Sequence, residues 1–235
     1  ILDGEVLTVI GAGNGVGIDI RIDNTLTINN GDITTNTFSD STGTGGDITL
    51  QTGNLEVFNG GVNTNTLGAG NGGNLTVQAQ EIDVRAGGEI SASTFSSGDA
   101  GDLMIETANL RIDGTGVELD NFTGLAAQAN PDSTGAGGDL TIRAQRIDVR
   151  AGGAISARTF SSGIGGTVTV VADNISFSGN SAMSTRSSEP SENAGDAGDI
   201  FIESSVLQLN DSRILVISEQ SGGGNIVINS NSIQL

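Results

Sequence analysis

Two pairs of aspartates, Asp99 with Asp102 and Asp196 with Asp199, stand in the same pentapeptide, Gly-Asp-Ala-Gly-Asp. Carboxylates gathered in a corner like this could bind calcium, a hard cation that prefers oxygen ligands. The spacing differs, however, from that of the known nonapeptide calcium repeats. Asp47, Asn74, Asp139 and Asn225 occupy equivalent positions. A glycine followed by an Asx residue most simply supplies a turn in which the side chain bonds nearby backbone, and stacked Asx residues can form a hydrogen-bonded ladder. A second constellation is Asp83, Arg111 and Asp148. An acid pair beside an arginine could serve polysaccharide hydrolysis or lyase chemistry. Each of the three nevertheless sits at the same point of a repeating unit, whereas an active site should break a repeat. They read as a structural charge ladder.

The residue types that are missing narrow the chemistry further. The chain has no Cys, His, Lys, Tyr or Trp, which removes disulfides, thiolate zinc sites, cysteine nucleophiles and the commonest general base. Nine arginines face 28 acids, for a formal charge of −19. Such a surface repels phosphate backbones and anionic membranes, so nucleic acid is excluded as a partner. No apolar run approaches the roughly 20 residues of a membrane span, and no membrane insertion is expected. Glycine is abundant at 37 of 235 residues but proline contributes only two, which excludes collagen. With 35% hydrophobic residues the chain can bury a core.

The elements that must position these groups repeat along the chain. GNLTVQAQEIDVRAGGEISASTFSSG from Gly73 returns from Gly138 as GDLTIRAQRIDVRAGGAISARTFSSG, with weaker copies near Gly46, Gly101, Gly166, Gly198 and Gly224. Within a unit, apolar residues fall at every second position, the period of a half-buried strand. A first strand carries pairs such as Leu75 and Val77 or Leu140 and Ile142; a second carries Ile82 and Val84 or Ile147 and Val149. The step from the first strand to the second is seven residues in each of the seven units from Ile48 onward. A third strand begins at Ile33, Val62, Ile90, Leu125, Ile155, Met183 and Ile214. An earlier unit uses Ile20, Ile22, Leu26 and Ile28, and Leu7 with Val9 belong to a partial turn before it.

Three strands per unit with no helix between them predict an all-β fold: a right-handed parallel β-helix, or β-solenoid, of about eight coils. Residues 1–235 form one such segment, expected to be a piece of a longer secreted chain, with surface loops near 114–123 and 188–197. The register places Asp83, Arg111 and Asp148 in one column and Arg85, Asp113 and Arg150 in the next, with Glu106 beside Arg143. Opposite charges on neighbouring strands stabilise each other. Phe38, Phe95 and Phe160 follow the third strand and read as stacked aromatics closing a corner.

The segments GGNLTVQAQEIDVRAGGEISASTFSSGDAGDL from Gly72 and its copy from Gly137 resemble the repeats of filamentous-haemagglutinin-like exoproteins of two-partner secretion, in particular the glycine-rich cyanobacterial type. The resemblance covers almost the whole chain. It implies export through an outer-membrane pore and folding as a β-helix at the cell surface or in the extracellular matrix. The expected role is the non-catalytic shaft of a fibrous adhesin or matrix protein. Self-association into fibres and cell-surface glycans or proteins are the partners to expect. The alternative is a carbohydrate-binding module or a polysaccharide-degrading β-helix enzyme. The family's NPNG-type secretion motif is not visible, and Asn130, Pro131 and Asp132 sit in a repeat corner that does not replace it.

Overall fold

A seven-residue step between apolar pairs is odd, so a straight strand would put Val77 inside and Ile82 outside. Both are buried in the computed structural model, because the chain bends between them. The model describes residues 2–3, 6–11, 15–117, 122–131, 133–160, 162–187, 195–219 and 221–235. The first and second strands of each unit run on as one long bent strand: β3 (Ile18–Asn29), β5 (Ile48–Phe58), β7 (Leu75–Arg85), β9 (Leu103–Asp113), β11 (Leu140–Arg150), β13 (Val168–Ser178) and β15 (Ile200–Asn210). Each is followed by a six-residue strand, in turn β4 (Asp32–Thr37), β6 (Gly61–Thr66), β8 (Glu89–Thr94), β10 (Gly124–Ala129), β12 (Ala154–Thr159), β14 (Ala182–Ser187) and β16 (Arg213–Ser218). The result is seven complete coils of a parallel β-solenoid. A partial turn, β1 (Leu2–Asp3) and β2 (Val6–Gly11), precedes them, and β17 (Ile226–Gln234) follows. All pairing is parallel, in one nine-stranded and one eight-stranded sheet, and the described residues contain no helix.

At the bend the ladder skips one residue: Ala79 pairs with Thr107 and Glu81 with Asn109, while Gln80 goes unmatched. Hydroxyls compensate for the break. Thr107 Oγ1 donates to the Gln80 carbonyl at 3.1 Å and to the Asn109 carbonyl at 3.0 Å, and Thr52 does the same for Asn24 and Asn54. Where the coil has a threonine at this position, hydrogen bonding thus continues through the corner.

The first coil departs from the expected register. Ile18 and Ile20 are the partners of Ile48 and Leu50, so the inward pair is not Ile20 with Ile22. An irregularity between Ile22 and Thr25 absorbs one extra residue, a β-bulge that leaves Leu26 opposite Leu55. Elsewhere the third-strand residues align as expected, from Leu7 on Ile33 through Met183 on Ile214. The core is a column of fully buried Leu, Ile and Val from the bent strands, closed by one Ile, Val, Leu or Met per short strand. The remaining inward positions of the short strands hold small side chains, such as Thr35, Thr64, Ala92, Ala127, Ala157 and Thr185.

Candidate functional site

The corner that returns each short strand to the next long one is built from glycine for a steric reason. A Cβ on Gly138 would lie 1.9 Å from the Gly101 carbonyl oxygen, and one on Gly101 would lie 1.9 Å from that of Gly73. A second column three residues earlier, including Gly98, Gly135 and Gly163, is equally tight, with contacts of 2.0, 2.0 and 2.2 Å to the coil before. Backbones therefore touch at two points in the corner of most coils. The signal was present as a Gly-x-x-Gly spacing at Gly70 and Gly73, Gly98 and Gly101, or Gly195 and Gly198. Its cause is visible only when the coils are stacked.

Each glycine column is followed by an Asx-rich column, interrupted by Thr167 in one and by Ala136 and Ile164 in the other, and here the four candidate calcium ligands fall. Asp102 Oδ1 accepts the Asp139 amide at 2.9 Å, while its own amide donates to Asn74 Oδ1 at 2.9 Å. Asp99 Oδ1 accepts the Ala136 amide at 2.8 Å. Asp196 and Asp199 accept the amides of Gly222 and Asn225, both at 2.6 Å. The bonds run from coil to coil instead of within the side chain's own turn. Among the described residues no three His, Cys, Asp or Glu side chains cluster as a metal site. The chemistry of these acids is to satisfy backbone donors along the rod axis, and buried or half-buried amides left unpaired are costly.

The charge columns form in the expected register, Asp83 against Arg111 against Asp148, and Arg85 against Asp113 against Arg150. The contacts are uneven. Asp113, whose side chain is only 9% exposed, is gripped by Arg111 at 2.9 Å and Arg150 at 2.8 Å. Arg111 reaches Asp83 only at 3.9 Å. Arg85 lies 3.0 Å from Asp83 and stacks on the Phe58 ring at 4.4 Å. Burial raises the Asp83 carboxyl above its usual value, against the opposing pull of Arg85 and Arg111. Glu106 pairs by register with Arg143 but accepts its hydrogen bond from Gln78, at 2.7 Å.

The described ends of the first expected loop, Gly116, Val117 and Phe122, overhang a cavity of about 510 Å³ with Asn59, Ala86, Gly87 and Glu89. Glu89 is half-buried there, and burial pushes its carboxyl up, opposed by a hydrogen bond from Ser91 and assisted by Asp32. Residues 118–121 and 188–194, the centres of the two expected loops, lie outside the described residues, as does Asp132. The aromatic corner differs from expectation. Phe38 and Phe95 are 50% and 48% exposed, and Leu67 separates their coils, so they do not stack directly on each other. Phe160 instead carries Arg158 over its ring at 5.5 Å.

The fold and this corner define a β-solenoid whose coils meet through recurring glycine contacts and, at most coils, Asx hydrogen bonds. Compared with protein-family models, curated proteins and solved structures, the chain matches none.

Proposed function

We propose that the chain is part of the shaft of a secreted, surface-attached fibrous protein, an adhesin or matrix protein of the filamentous-haemagglutinin-like kind exported by two-partner secretion. One observation supports the reading: the glycine contact along the axis recurs from coil to coil. The glycine columns fix the spacing, Asx side chains bond most coils to the next, and the apolar column runs through without a break. A unit joined to its neighbours in this way can be extended without new design, which suits a spacer that holds something away from a surface. No catalytic step is assigned to it.

The reading is tested on cells of the source organism with an antibody raised against the folded chain. Gold labelling at the outer surface, removed by protease treatment of intact cells, is the expected result. Labelling confined to the cell interior would overturn it.

A further inference from the structure

The outer face of the bent strands carries a column of threonines, Thr49, Thr76, Thr141 and Thr169, interrupted by Met104. At the next two coils the column changes to Phe201 and Val227, each 40% exposed. This break in the repeat borders an open groove of about 540 Å³, running along the bend over four coils. Its floor is small and partly apolar, Ala144, Val171, Ala172 and Ser204, and its edges carry Asp173, Glu203, Asn229 and Asn231. A smaller hollow of about 110 Å³ joins it to Phe201 and Val227 through Val171, Glu203 and Asn229.

We propose that this groove binds an extended amino-sugar chain. Four coils at ~4.8 Å spacing give a trough about 14 Å long, the scale of a short oligosaccharide lying parallel to the axis. The exposed Phe201 ring offers a flat apolar face to a sugar ring. Protonated amines are drawn to such a face and to carboxylates. Among the described residues Asp173 and Glu203 have no hydrogen-bond or ion-pair partner, whereas Asp99, Asp102 and Asp113 are all engaged elsewhere in the rod. Two free acids beside an apolar platform favour a cationic glycan over a neutral one and repel a polyuronate. Asn229 and Asn231 supply amide donors and acceptors suited to sugar hydroxyls.

The test is calorimetric titration of the intact chain with a glucosamine hexamer, its N-acetylated counterpart and a galacturonate hexamer at low salt. The glucosamine hexamer should bind at least tenfold more tightly than the acetylated one, and the galacturonate hexamer should give no heat. Phe201→Ala should weaken both amino-sugar hexamers about tenfold with an unchanged thermal midpoint. Asp173→Asn with Glu203→Gln should erase the preference for free amines. A control pair with the same charge change, Asp23→Asn with Glu81→Gln, should leave it intact. No binding at millimolar hexamer, equal affinity for the two amino-sugar hexamers, binding unaffected by Phe201→Ala, or an equal loss in the control pair would each overturn the proposal.

Discussion

Three residues, Ala86, Ala151 and Glu89, hold backbone conformations or charges that their surroundings oppose, and single substitutions at Ala151 and Glu89 test this. Ala86 and Ala151 open the turn between bent and short strand with φ of 52°, at the position that four other coils fill with Asn30, Asn59, Gly179 and Asp211, also at positive φ. A left-handed backbone costs an alanine roughly 1–2 kcal/mol, part of which a glycine returns as unfolded-state entropy. Ala151→Gly should therefore stabilise by about 0.5–1 kcal/mol in urea unfolding. Glu89 supplies a pH dependence. Its folded-state pKa is raised by burial, so the native state holds the proton to higher pH than the unfolded chain does. Stability from this group is complete below the unfolded value and is lost as pH rises through the folded one. Glu89→Gln removes that loss, and its unfolding midpoint relative to wild type should stand higher at pH 7 than at pH 3. A gap that narrows with rising pH would contradict the assignment.

Among elements, the glycine corner and the charge columns make opposite kinds of contact, one steric and one electrostatic. Gly138→Ala would set a Cβ against the Gly101 carbonyl, and moving either backbone breaks the ladder beside it. The expected cost is about 3 kcal/mol or more, larger than ordinary overpacking because the obstacle is main chain. A loss under about 1 kcal/mol would mean that the coils separate more easily than their stacking implies. Arg111→Asp acts differently, placing a carboxylate beside Asp83, Asp113 and Asp148. It should cost roughly 1–2 kcal/mol, since like charges directly opposite are unfavourable. Asp83→Arg in the same chain should recover part of that loss. Simple addition of two losses would show that the columns do not interact.

At the scale of the whole molecule, each coil depends on its neighbours. The two sheets are held only by coil-to-coil pairing, and most contacts link residues far apart in sequence. A fragment of two coils, residues 137–198, should stay unfolded by far-ultraviolet circular dichroism, while the full chain shows β structure with almost no helix. A folded two-coil fragment would contradict that dependence.

Much of this architecture is legible along the chain, because a parallel solenoid repeats the same environment once per coil. Period-two apolar pairs fix which faces turn inward, and a constant odd step demands a corner, so the strands, their registers beyond the first coil and the charge columns follow from spacing alone. What spacing cannot reveal is how closely stacked backbones approach. The glycine columns, the transfer of Asx hydrogen bonds from a residue's own turn to the next coil, and the bulge that shifts the first inward pair to Ile18 and Ile20 all arise from contacts between residues about thirty positions apart. The groove at Phe201 belongs to the same class: the sequence shows a phenylalanine and two unremarkable acids, and only the bend of successive strands brings Asp173, Glu203 and Phe201 along one trough. Periodicity is a local property of the chain, whereas clearance and concavity depend on the distance between coils, which only the folded stack determines.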